Sequence, residues 1–298
     1  MHILVTGASG LVGSALASSL TSAGYELTRL VRRPPQPGEK AARWDPLMGN
    51  IDVSAFEGVD AVVHLAGESI AERWTAAKKV NIRDSRIKGT QVLCEALTQL
   101  ASPPKVLVSA SAIGYYGDRG EEMLSEESAP GSGFLAEVCR AWETATEPAR
   151  QAGLRTVQLR FGVVLSPAGG ALAKILPPFR LGLGGVLGSG RQYMSWIVLD
   201  DAVGAIQHAI TTNSLQGATN AVAPQALTNH EFTHILGRVL GRPTIVPLPA
   251  FAARLMFGEM ADELLLASAR VQPAKLLASG YGFRYPELEG ALRQLLAR

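Results

Sequence analysis

The sequence predicts an α/β protein, a doubly wound parallel sheet followed by a smaller, mostly helical C-terminal lobe, and three observations carry that prediction. Short apolar runs alternate with helix-length segments through the first sixty residues, the pattern of parallel strands joined by crossover helices. A turn with regularly spaced glycines links the first run to the first helix. Near the C-terminus, Pro243, Pro247, Pro249 and Pro273 punctuate short helical stretches.

Taken in order, Ile3-Leu4-Val5 reads as a strand, Leu11 to Ala23 as a helix and Glu26 to Val31 as the next strand. Ala61-Val62-Val63 and Lys105 to Val108, the latter entered through Pro103-Pro104, are further runs whose unbroken apolar character suits strands covered on both faces. Between them, Val80, Ile87, Leu93, Ala96, Leu97 and Leu100 predict one long amphipathic helix over Thr75 to Leu100. A helix over roughly Gly133 to Ala149 precedes the strand Thr156 to Leu159, and another runs from Asp200-Asp201 to Ile210. After Gly162 the texture changes. From Phe161 to Leu199 there is no Asp or Glu, only Lys174, Arg180 and Arg191, with glycines at 182, 184, 185, 188 and 190. That tract reads as flexible and electropositive, either a solvated connector or a lid over an anionic ligand. The expected division is a nucleotide-binding domain over 1–165, receiving part of 196–225, and a lid and substrate-binding lobe over 166–298.

Composition narrows the function. The 28 basic and 26 acidic residues leave +2, too little for a nucleic-acid field, and 47% hydrophobic content argues for a globular core. Cys94 and Cys139 cannot form a disulfide framework, and no Cys/His cluster has zinc-site spacing. The uncharged stretch from Phe161 to Ala173 is broken by Ser166, Pro167, Gly169 and Gly170, and Met1-His2 lead straight into the first strand. A soluble, cytoplasmic protein acting on a small molecule, without membrane or nucleic acid, is the expectation.

Thr6-Gly7-Ala8-Ser9-Gly10-Leu11-Val12-Gly13 stands between the first strand and helix. Glycines at i, i+3 and i+6 allow a tight turn and bring a pyrophosphate against backbone N–H groups at a helix N-terminus. Gly7, Ser9, Gly10, Leu11 and Val12 are therefore candidate cofactor contacts. An acid about 20 residues on would select NAD, but none lies between Glu26 and Glu39; Arg32 and Arg33 follow the second strand instead and point to the 2′-phosphate of NADP(H).

With that turn, Asp60-Ala-Val-Val-His-Leu-Ala-Gly67 and Ser109-Ala-Ser-Ala-Ile-Gly-Tyr-Tyr-Gly117, the chain resembles the extended short-chain dehydrogenase/reductases, the NAD-dependent epimerase/dehydratase superfamily. It is most similar to the atypical "epimerase family protein" subgroup, which has its own C-terminal domain. The likeness runs end to end, through Leu65-Ala-Gly-Glu-Ser-Ile70, Pro177-Pro-Phe-Arg-Leu-Gly-Leu-Gly-Gly185, Gly188-Ser-Gly-Arg-Gln192, Trp196, Val271-Gln-Pro273 and Gly282-Phe-Arg-Tyr-Pro286. The resemblance implies a Rossmann-type core with Leu65, Ala66 and Gly67 beneath the cofactor, Arg86 facing it where most extended members have Asn, and Val163 lining the nicotinamide face. It also implies a diphosphate-gripping region, onto which Arg180, Arg191 and Gln192 fall as substrate contacts.

In the wider superfamily a Tyr with Lys four residues later performs the proton transfer. No tyrosine here has that partner, and the stretch where the pair belongs reads Gly133-Phe-Leu-Ala-Glu-Val-Cys-Arg-Ala-Trp-Glu143. Ser111 matches the superfamily serine, and Tyr115 and Tyr116 follow it, with Arg119 a possible cation for Tyr115. These three are the catalytic candidates. Cys139 and His64 read as buried structural residues, and Asp200-Asp201 as first-turn helix acids. Two functions stay open: an NADP(H)-dependent oxidoreductase or epimerase-like enzyme acting on a small polar substrate by hydride transfer, and a non-catalytic NADPH sensor.

Overall fold

The computed structural model describes residues 1–297. Strands β1 (His2–Thr6), β2 (Glu26–Val31), β3 (Ala41–Asp45), β4 (Asn50–Ile51), β5 (Ala61–His64), β6 (Val106–Ala112), β7 (Met123–Leu124), β8 (Arg155–Phe161), β9 (Val163–Ser166), β10 (Tyr193–Met194), β11 (Trp196–Val198), β12 (Gly217–Ala221), β13 (Leu227–Thr228) and β14 (Arg270–Val271) alternate with ten helices. The helices are α1 (Leu11–Ser22), α2 (Ala76–Thr98), α3 (Phe134–Thr144), α4 (Glu147–Gln151), α5 (Gly170–Arg180), α6 (Leu199–Thr211), α7 (Asn229–Leu240), α8 (Ala250–Phe257), α9 (Ala274–Ala278) and α10 (Leu288–Leu296).

The main sheet has the order β12-β8-β6-β5-β1-β2-β3-β4, parallel throughout except for the β3/β4 edge pair. From β1 the chain winds outward through β2 to β4, then returns to β5 on the other side, so the winding reverses between β1 and β5. In doubly wound sheets that reversal opens a crevice at the carboxyl ends of the strands. Alternation along β1 sends Ile3 and Val5 into one core, with Leu16 and Leu20 of α1 and Ile206 and Ala209 of α6. Leu4 goes to the opposite core, with Leu93 and Leu97 of α2 and Ala149 of α4. A third core ties the C-terminal lobe to the rest, joining Leu172 and Phe179 of α5, Trp196, Phe232 and Leu236 of α7, and Leu288 and Leu292 of α10.

Residues past 165 complete the sheet, since β12 pairs with β8 from Gly217↔Val157 to Ala221↔Phe161. Other expectations need adjustment. The segment expected as one helix over 133–149 is two, α3 and α4, because Pro148 supplies no N–H to continue the first. Val80 is exposed rather than core-facing, and the buried stripe of α2 runs through Ile82, Gly89, Leu93 and Leu97. The glycine tract is held against its neighbours rather than left open: a Cβ on Gly184 would come within 2.6 Å of the Phe179 ring, and one on Gly185 would collide with the Val246 carbonyl. Leu248 N donates to Val186 O at 2.9 Å alongside. Small residues there permit close backbone approach, which composition alone reads as freedom.

Candidate functional site

The first part of the site is the turn after β1. Gly7 has φ +69°, and a Cβ on it would lie 2.7 Å from Leu65 carbonyl atoms, so only glycine lets the β1 and β5 ends approach this closely. Gly13 would drive a side chain into the Gly7 carbonyl. Gly10 meets almost nothing and opens α1 with no side-chain cap and no acid in the first turn. The N–H groups of Leu11 and Val12 therefore stand at an uncapped helix N-terminus beside an exposed Ser9, a cradle for an anion. Thr6 braces the opposite wall: its Oγ1 accepts from Leu65 N and Ala66 N, both at 3.2 Å, and bonds His64 Nδ1 at 2.7 Å. His64 is fully buried, also bonds Thr90 Oγ1 at 3.0 Å, and is pushed down to about 4 by burial, so it is a neutral core residue.

At the end of β2 the two arginines differ. Arg33 makes a bidentate pair with Glu39 at 2.7 and 2.8 Å, whereas Arg32 is exposed and has no ion-pair partner among the described residues. Arg32 is the one left for a ligand. The two carboxylates that flank it in sequence are taken, Glu26 by Lys40 and Glu39 by Arg33.

The catalytic candidates part company. Ser111 is buried and donates to Glu143 Oε1 at 2.6 Å. Glu143 in turn accepts from Arg160 Nε and Nη2, both at 2.8 Å. Burial works against the Arg160 charge, but the Glu143 hydrogen bonds and charge override it and hold the guanidinium above its ordinary pKa. Arg160 Nη1 also donates to the Tyr116 hydroxyl at 2.9 Å, and that hydroxyl donates to Asn220 Oδ1 at 2.7 Å. Tyr116 is fully buried, and desolvation raises its pKa, which leaves it a structural member of the network rather than a proton donor to a ligand. Tyr115 is half-buried; the Arg160 guanidinium lies 3.5 Å from its ring centroid, and its hydroxyl makes no hydrogen bond among the described residues. Arg119 is not the cation beside it, being clamped to Glu122 at 2.7 and 2.8 Å. The cation is Arg160.

α3 turns Leu135 and Cys139 toward Gly114, where a Cβ would meet Leu135 at 3.2 Å and the Cys139 thiol at 3.7 Å. Cys139 is buried and pushed up to about 12 by desolvation, so it remains a thiol. Opposite it, Arg86 lies over Gly67, whose Cβ would stand 3.3 Å from the Arg86 Cζ. Val163 is half-buried, pairs with Trp196 and donates its N–H to Ser195 O at 2.9 Å.

The substrate candidates differ in what they are free to do. Arg180 and Arg191 are exposed, the latter 3.8 Å from Glu121. Gln192 is buried and spends its amide on the carbonyls of Leu187 (2.9 Å) and Leu265 (3.3 Å), a structural use that leaves little for a ligand. Sequence reading passed over three residues. Glu143 and Arg160 are one pair; the signal was a charge inside the apolar β8, where an ion needs a partner. Asp201 is the third: more than a first-turn acid, it is buried and accepts from the N–H groups of Arg284 (2.9 Å) and Tyr285 (3.0 Å), tying down the C-terminal segment.

Among solved structures, the chain is similar to the human epimerase family protein SDR39U1 (isoform 2) with NADPH, at 36% identity and TM-score 0.91 over 100% of this chain and 99% of that one. It is also similar to the nucleoside-diphosphate sugar epimerase of Corynebacterium glutamicum, at 39% identity and TM-score 0.80 over 99% of this chain but 58% of that one. An epimerase family protein of Mycobacterium tuberculosis is 47% identical over 291 residues, 97% of this chain and 96% of the relative. Residues 248–295 match a domain of unknown function, DUF1731. Residues 3–222 match the family described as NAD dependent epimerase/dehydratase, and with the cradle and sheet just described, the chain belongs to that family.

Proposed function

We propose that this protein binds NADP(H) and transfers hydride to or from a small polar substrate, as an oxidoreductase or epimerase-like enzyme of a reducing, cytoplasmic compartment. The observation that carries the reading is the uncapped N-terminus of α1 behind the Gly7 turn, joined to Arg32 at the end of β2, which has no ion-pair partner among the described residues. The residues fit the cofactor: Gly7, Ser9, Gly10, Leu11 and Val12 for the pyrophosphate, Arg32 for the 2′-phosphate, Leu65 to Gly67 beneath the ribose, and Val163 and Arg86 toward the nicotinamide half. When bound, NADP(H) supplies or accepts the hydride. The chain's own part is to hold the ring, exclude water and move a proton. Tyr115 is the residue for the proton, since its hydroxyl is uncommitted and its ring lies under a cation. Ser111 donates its hydroxyl hydrogen bond to Glu143 and is left to accept from a ligand.

A second reading is favoured by one observation. Leu135 and Cys139 occupy the α3 face toward Gly114, where neither can act as acid or base, which suits an NADPH sensor without turnover. Calorimetric titration with NADPH and NADH, then incubation of the NADPH complex with fractionated metabolites, tests both. The enzyme reading expects NADPH to bind at least about tenfold tighter than NADH, Arg32→Ser to erase that preference, and one fraction to oxidise the nicotinamide. Binding without oxidation in any fraction favours the sensor. Equal affinity for both cofactors overturns the NADP(H) assignment.

A further inference from the structure

The C-terminal lobe leaves large apolar side chains in solvent along two short stretches: Leu181 and Leu183 after α5, and Ile245, Val246, Phe251 and Leu255 leading into and along α8. Backbone contacts hold the two stretches side by side. Val246 N donates to Gly184 O at 3.3 Å, Gly188 N donates to Leu248 O at 2.9 Å, and Pro243 lies 3.7 Å from where a Gly182 Cβ would stand. Phe251 and Leu255, four residues apart, share one face of α8, while Ala253 is buried on the other. Leu181, Ile245, Phe251 and Leu255 are 74%, 79%, 73% and 76% exposed, so they project from the surface rather than line a groove. Exposed apolar groups gathered in this way mark an interaction surface.

The same face is cationic. Lys174 and Arg180 of α5 and Arg242, next to Pro243, stand exposed on its loop side. Arg73 reaches its α8 side, with Nη1 3.5 Å from the Leu255 carbonyl. None of these four has an ion-pair partner among the described residues, whereas the acids bordering α8 and Arg73 are taken: Glu72 by Lys78, Glu259 by Lys79 and Asp262 by Arg254. Glu263 accepts from the N–H groups of Phe134 and Leu135. A second copy of this chain would bring the same unanswered cations to an isologous contact. An acidic amphipathic helix would need a groove for its apolar side. Apolar projections ringed by free cations fit a surface that is anionic outside and apolar within. We propose that this face docks on an anionic lipid bilayer, with Phe251, Leu255, Leu181 and Ile245 entering the headgroup and acyl boundary and the four cations meeting lipid phosphates. The expectation of no membrane rested on the lack of a spanning segment, and no helix among the described residues is long and apolar enough to cross one. Resting on a bilayer surface requires no such segment.

The test is co-sedimentation of the full chain with vesicles of phosphatidylcholine alone, and of phosphatidylcholine and phosphatidylglycerol in equal parts. Wild type is expected to bind the mixed vesicles at least about tenfold more tightly than the neutral ones, and less tightly as salt rises. Phe251→Asp with Leu255→Asp, and separately Arg180→Ser with Arg242→Ser, should each weaken that binding at least about tenfold. Thermal unfolding should be unchanged in both, since all four side chains are exposed. Should the α8 pair fail to fold, Leu181→Asp with Ile245→Asp makes the same test from the loops. No binding to the mixed vesicles, equal binding to both compositions, or variants that bind as wild type does overturns the proposal. Self-association in sedimentation velocity that Phe251→Asp with Leu255→Asp abolishes also overturns it, and assigns the face to a second copy. Binding of polyglutamate in place of the mixed vesicles overturns it in favour of an acidic protein partner.

Discussion

Replacing Glu143 with Gln keeps the shape of the side chain and removes its charge, which isolates what the buried pair does. Glu143 and Arg160 have side chains 13% and 4% exposed, and the carboxylate receives three hydrogen bonds, from Ser111 Oγ and from Arg160 Nε and Nη2. Breaking a buried pair from one side leaves an uncompensated ion, a loss of about 3–5 kcal/mol. For 298 residues, an unfolding entropy of about 2.1 cal/mol/K per residue gives about 0.6 kcal/mol/K, so Tm should fall by roughly 5–8 °C. The assay is thermal unfolding followed by circular dichroism, with urea unfolding in parallel. The double variant Glu143→Leu, Arg160→Met removes both charges and should recover most of the loss. The reasoning is refuted if Glu143→Gln costs less than about 1 kcal/mol, or if the double variant is no more stable than the single one, since either result means that no unpaired charge was left behind.

Burial holds His64 down to about 4, below its ordinary 6.5, so the native state resists protonation; its contribution is intact above about pH 6.5 and is lost as pH falls from there toward 4. That amounts to roughly 3 kcal/mol, and His64→Gln should flatten the stability-against-pH curve in this window, an unchanged slope counting against it. Arg33→Ser should leave the NADPH preference intact, because Arg33 is occupied by Glu39, in contrast to Arg32→Ser; equal effects from the two in calorimetry would remove the distinction. Asp201→Asn weakens two backbone contacts to Arg284 and Tyr285, so limited proteolysis should cut the C-terminal segment faster, and an unchanged cleavage rate would show that the anchor is elsewhere.

The sheet was legible because β1, β5 and β6 are covered on both faces, which forces continuous apolar runs, and because the Gly7–Gly13 spacing requires a strand before it and a helix after it. β3, one in from the two-residue edge strand β4, was not. Its sequence Ala-Ala-Arg-Trp-Asp carries polar residues that interrupt any apolar run, and it follows the stretch Pro34 to Lys40, which reads as loop. The cofactor side of the site lay within single motifs and could be read locally. The other side is built from pairings across 17 and 32 residues for Glu143 with Arg160 and Ser111, and across 104 for Tyr116 with Asn220. Nothing periodic links such positions. The lone sign was Arg160 itself, a charge in a strand with no room for one.

The Arg160–Glu143 pair at the carboxyl end of β8 explains how a site without the Tyr and Lys pair can still be a site. Arg160 is neutralised by Glu143, so it steadies the Tyr115 ring without offering a free charge to a ligand. Beside that pair, Ser111 accepts and Tyr115 is left to donate, so a substrate oxygen resting at Ser111 must bring its own proton, as an alcohol does, while a carbonyl oxygen must look to Tyr115. Tyr115→Phe removes that proton and keeps the ring over Arg160. In the proposed reaction it should lower kcat for carbonyl reduction by about a hundredfold or more and leave NADPH affinity unchanged. A variant that turns over at the wild-type rate would mean that the proton comes from water, and that Tyr115 is there for its ring alone.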